Sequence, residues 1–195
     1  MNQLIIAGFV FLNLFMIVGA VDLFYFHIWK YKLHARPESR FEHKLHMTSA
    51  VLMVPVAYFL YYQNFGGYAL WVAVFLVVAG FATEILDVFS EGESRESLGG
   101  LTTGELALHV AATMLKVVSF AFMFVAKPIS AWSLNSPVVL GTHGPITEII
   151  ALNVITGSLI VAVLHLALLN PTVASLNCKT VCHFTGCSRF ACCKN

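Results

Sequence analysis

The chain has 195 residues, 11 Lys and Arg against 10 Asp and Glu, and a formal net charge of +1. Hydrophobic residues make up 58% and charged residues 11%, and the mean hydropathy is +0.81. A soluble chain carries about 25% charged residues, so a soluble globular domain is excluded, and the bulk charge gives no pointer to a nucleic-acid partner, which is not expected.

The first apolar run, 4–26, reaches the roughly 20 residues a helix needs to cross a bilayer. It lacks a basic start, is too long for the apolar region of a signal peptide, and ends in Phe24-Tyr25-Phe26-His27-Ile28-Trp29 instead of a small-residue cleavage site. It reads as a true span with Tyr25 and Trp29 as interfacial anchors. Arg36-Pro37-Glu38-Ser39 then reads as a helix start, because Pro37 suits a first turn and Glu38 the positive end of the helix dipole. That helix would carry Glu42 and His46 into the bilayer edge before the apolar run 46–64.

The third run, 67–89, bears Glu84 and Asp87 near its end, and the polar, Gly-rich segment 90–104 is expected to be a flexible connection. The fourth run, 105–126, opens on Glu105 and His109, with Thr102 or Thr103 as its N-cap. Lys116 lies about 16 Å along that helix from Glu105, where a buried partner such as Asn13 is expected. The fifth run, 147–169, carries His165 near its end, while the loop 127–146 shows no ligand spacing. All five cysteines (Cys178, Cys182, Cys187, Cys192 and Cys193) fall in the last segment without a C-x-x-C pair. The expected organisation is an all-α polytopic membrane bundle of five spans over 1–170, and a reduced, Cys-rich cytoplasmic tail over 171–195.

Five of the eleven basic residues (Lys30, Lys32, Arg36, Arg40 and Lys44) lie between spans one and two, Arg95 lies between spans three and four, and Lys179, Arg189 and Lys194 lie in the tail. The positive-inside rule therefore puts the N-terminus outside and these segments in the cytoplasm. Nine of the ten acidic residues then gather on the cytoplasmic side or in its edge of the bilayer, all but Glu148. Ionisable side chains inside spans are costly in lipid and normally face partners within the bundle.

A doubled pattern sharpens this convergence. Asp22-Leu23-Phe24 precedes Glu42-His43-Lys44-Leu45-His46, and Asp87-Val88-Phe89 precedes Glu105-Leu106-Ala107-Leu108-His109, at offsets of 65 residues for the aspartates and 63 for the Glu and His. Residues four apart share a helix face, so each copy presents a glutamate and a histidine together. The pattern predicts two related helix pairs about a pseudo-twofold axis and a ligand set of Asp22, Glu42, His46, Asp87, Glu105 and His109. Under the same offsets His43 aligns with Leu106 and Glu84 with Gly19, so both are additional candidates only, together with His165, which has no counterpart but sufficient depth. His27 and His34 are assigned to the interfacial loop.

The stretch from His27 to His46, with His34-Ala35-Arg36-Pro37-Glu38-Ser39-Arg40-Phe41-Glu42-His43-Lys44-Leu45-His46 at its heart, resembles the signature of an uncharacterised family of small bacterial inner-membrane proteins. The resemblance implies a bacterial inner-membrane location and supplies no activity.

Carboxylates with imidazoles suit iron, zinc or manganese, and helical bundles build di-metal centres from such side chains. The expectation is an integral-membrane metalloprotein with a dinuclear site at the cytoplasmic leaflet, holding two iron ions first and zinc or manganese second. It would act as an oxidoreductase on a lipid or quinol, with membrane lipid as its surroundings and a homo-oligomer left open. Two divalent ions would neutralise four carboxylates without Arg or Lys. The alternatives are a divalent metal transporter or sensor, a b-type haem protein with His46 and His109 as axial ligands, and a buried ionic network of Asp, Glu, His and Arg without metal.

Overall fold

The computed structural model of the chain describes residues 3–170 and 172–173; the five cysteines, and with them the reading of the tail, lie outside these residues. The described chain is all-helical, and five helices are long and apolar enough to cross a membrane: Gln3–Lys30, Pro37–Tyr62, Gly67–Leu98, Thr103–Val125 and Pro145–Leu168.

Within them α1 (Gln3–Val21) widens into a π-helical stretch, Asp22–Lys30, and α2 (Arg40–Val56) follows two short 3-10 turns and ends in a second π-helical stretch, Ala57–Tyr62. Helices α3 (Gly67–Arg95), α4 (Thr103–Val125) and α5 (Pro145–Leu168) complete the bundle. α1 packs against α4, while α2 packs against both α3 and α5. Large apolar side chains such as Phe75, Val78, Phe89, Met114 and Val163 face outward, as a bundle surrounded by lipid requires.

The bundle has two unlike halves. In one, Phe9, Leu12, Met53, Leu60, Tyr61, Val77, Phe120, Met123 and Val154 close a dry core. Small residues bring the helices together there, as is usual where lipid supplies no hydrophobic drive between helices. A Cβ on Gly8 would lie 2.9 Å from Met123 Sδ, and the Gly8 carbonyl accepts a 2.6 Å hydrogen bond from Ser119 Oγ. The adjoining loops are tied by Lys127 Nζ, which donates to Asn64 Oδ1 at 2.7 Å and to the Phe65 carbonyl at 3.0 Å.

The other half holds the polar residues. Two expectations for it change. The segment 90–104 is not a loop throughout: α3 continues to Arg95 before the chain reverses at Gly99 and Gly100, both with positive φ. The extra turn persists because Glu91, Ser94 and Arg95 are buried against partners on α2 and α4. Thr102 precedes α4 but makes no capping bond; its hydroxyl is 3.0 Å from that of Tyr31.

Candidate metal centre

The six residues singled out by the doubled pattern meet at one end of the bundle. Asp22 Oδ2 accepts from His109 Nε2 at 3.1 Å, and Asp87 Oδ2 lies 3.3 Å from His46 Nε2. The aspartate of each copy thus faces the histidine of the other. Glu42 Oε1 is 3.7 Å from His46 Nε2 one turn along the same helix. Glu42 and Glu105 are both almost wholly buried and turn inward, not to solvent.

Two residues at the centre were not in that set. His27, expected in the loop, is 1% exposed, and its Nε2 lies 3.4 Å from Asp22 Oδ2, 3.8 Å from Glu42 Oε1 and 3.9 Å from Glu105 Oε1. The π-helical stretch explains this position: it buries Asp22, Leu23, Phe26 and His27 together. Such wide turns occur frequently at functional sites.

The second is Arg95, 0% exposed. Its Nη1 and Nη2 donate to the two oxygens of Glu42 at 2.6 and 2.9 Å. Its Nε and Nη2 donate to Glu105 Oε1 at 2.9 and 2.5 Å. A guanidinium thus joins the two glutamates, as in the buried ionic network of the metal-free alternative, and corrects the expectation that metal ions alone would neutralise all four carboxylates. Counting buried acids against buried bases could have pointed to such a cation, but Arg95 was hidden by the assignment of its segment to a loop.

The additional candidates divide. His43 Nδ1 and His165 Nδ1 are 2.8 Å apart, and the His165 ring stacks on His46 with centroids 5.6 Å apart; both flank the cluster. Glu84 pairs with Lys116 deeper in the bundle, which corrects the expected Lys116–Asn13 contact, since Asn13 Nδ2 donates to the Phe9 carbonyl at 2.8 Å. Glu91, absent from the sequence-based set, places Oε1 2.6 Å from His109 Nδ1. His34, outside the spans, is buried; burial and then Lys32 pull its imidazole down to about 4.

Two groups of side chains bring one ligand atom each within 4.8 Å of one another: Asp22 with His27 and His109, and His27 with Glu42 and His46. Each is two histidines and one carboxylate, a donor set that suits non-haem Fe(II) and leaves coordination positions open. Among the described residues, Asp22 Oδ1, Asp87 Oδ1 and Glu105 Oε2 are buried without a hydrogen-bond partner. Buried polar atoms are normally partnered, so these residues fit a metal ion.

A cavity of about 360 Å³ opens beside the cluster, with walls from all five spans. Asp22, His46, Asp87, Glu91, His109 and His165 line its polar end, and Phe15, Met16, Leu23, Met53, Val88 and Val161 line its apolar flanks. Glu84 and Lys116 are the charged groups farther along it. In comparisons with known proteins, no family model, no curated protein and no solved structure matches this chain.

Proposed function

We propose that the chain is an integral-membrane metalloprotein that uses its Asp/Glu/His cluster to oxidise a quinol drawn from the bilayer. The observation that carries this reading is the position of Asp22, His46 and His109: they belong to the two metal-capable groups and also line the cavity. An amphiphile fits such a space, since its polar head can reach the carboxylates and imidazoles while its tail lies along the apolar flanks. Iron, when bound, supplies the one-electron chemistry that the side chains lack; zinc and manganese suit the same donors, but zinc has no redox chemistry.

Oxidation of a quinol to a quinone releases two electrons and two protons, and the electrons pass to dioxygen or a peroxide. Asp87 and His46, paired at the cavity wall and not needed by an ion held by Asp22 and His109, can take the two protons. The cross-pairing of Asp22 with His109 and of Asp87 with His46 supports a duplicated two-helix unit. The basic residues Lys30, Lys32, Arg36, Arg40 and Lys44 lie at the same end of the bundle, which supports a cytoplasmic placement of the site in a bacterial inner membrane.

The transporter and haem alternatives fit less well. A transporter needs a path to the far face, and beyond Lys116 the way is filled by Phe120, Tyr61, Leu60 and Met123. A haem between His46 and His109 would meet His27, whose ring centroid lies 4.7 Å from one imidazole and 5.8 Å from the other.

The test is quinol oxidation by detergent-purified protein, read from quinone absorbance and oxygen uptake with a short-chain quinol as probe. Turnover should be abolished by chelation and restored by Fe(II). Iron-loaded protein that leaves the quinol unchanged would overturn the assigned reaction.

A further inference from the structure

We infer that Arg95 is the built-in second cation of this centre, so that a single metal ion, held by Asp22, His27 and His109, completes it. The inference rests on the metal reading above and deepens it. In bundles that hold two metals, carboxylates from separate helices converge on the ions. Here the two glutamates that match at the 63-residue offset, Glu42 on α2 and Glu105 on α4, converge on the Arg95 guanidinium. Five N–H donors in a rigid plane suit that position. Both oxygens of Glu42 and one of Glu105 are engaged by it.

The two metal-capable groups share His27. The same ring nitrogen, Nε2, is the one near both Asp22 and Glu42. Arg95 Nη2 also lies 3.5 Å from it, a long contact that an ion would replace, and one lone pair serves one ion. The groups are therefore alternatives, and their surroundings distinguish them. Glu42, in one group, already neutralises Arg95. Asp22, in the other, keeps Oδ1 buried and without a partner among the described residues. His109 presents Nε2 toward Asp22 and has Glu91 Oε1 2.6 Å from Nδ1. A carboxylate behind a ligating histidine fixes the tautomer and turns the other nitrogen to the metal. Arg95 and Glu105 do not line the cavity, whereas Asp22 and His109 do, so the inferred ion sits on the side that substrate reaches and Arg95 on the side away from it.

Anaerobic titration of purified, chelator-treated full-length protein with Fe(II), read by metal analysis and calorimetry, tests this. Wild type should bind about one equivalent, D22N should weaken binding at least 10-fold, the range lost even with a histidine's outer partner, and E42Q, which keeps a hydrogen-bond acceptor for Arg95, should bind within about threefold of wild type. In the R95M/E42M/E105M variant, where an apolar trio replaces the buried ions and can be tolerated, one equivalent should still bind. No binding by wild type would remove the metal reading itself. Two equivalents in wild type would leave that reading standing and overturn the role of Arg95. So would a site insensitive to D22N but lost in E42Q, a result that does not depend on the triple variant folding.

Discussion

His27 and Arg95 organise the polar half of the bundle, one as the imidazole common to both metal-capable groups and the other as the cation between two buried glutamates. H27A should therefore cost more metal than any other single histidine change, and H109A should lower affinity by at least the roughly 10–100-fold lost with an outer partner. H34A should leave metal content intact, because that side chain belongs to neither group; equal content in H109A and H34A would remove the assignment. The convergence of Asp22, Glu42, His46, Asp87, Glu105 and His109 was legible because helical spacing and alternating span direction put them at one depth. His27 was not, since five residues after Asp22 it leaves the inner face of an ordinary α-helix, and only the π-helical widening returns it.

At the level of elements, the bundle depends on close approach in its dry half and on loops tied beyond it. G8L would push a side chain into Met123 and the Ser119 carbonyl, at a cost of roughly 1–3 kcal/mol for overpacking, and should lower the thermal midpoint in detergent without changing the metal ligands. His143, in the loop before α5, is buried near Phe9, and burial followed by the charge of Lys127 lowers its imidazole to about 4. Its ordinary value is about 6.5, so between these values the unfolded chain binds more protons and stability falls as the pH drops from about 6.5 toward 4. Melting at pH 7 and pH 5 should show that loss in wild type, and a smaller one in H143F; the same loss in both would remove His143 as a cause. The length of α3 was not legible for a related reason: Glu91, Ser94 and Arg95 look like loop residues until their partners on α2 and α4 are in place.

At the level of the whole molecule, a dry half and a polar half border an amphiphile-sized cavity. Five spans and the class of the fold were legible from apolar run length alone, whereas the cavity depends on how the five spans pack together and left no trace in any one segment. In a background with the five cysteines replaced, an impermeant thiol reagent added to whole cells should label N135C and miss E96C if the cluster faces the cytoplasm; the reverse pattern would place it on the opposite face. Metal analysis and an absorption spectrum of the purified protein together test the reading of this cluster as a non-haem metal site: about one equivalent of a transition metal per chain and no intense Soret band are expected. Protein free of metal, with Arg95, the carboxylates and the imidazoles satisfied by one another, would contradict it, and so would a Soret band without non-haem metal.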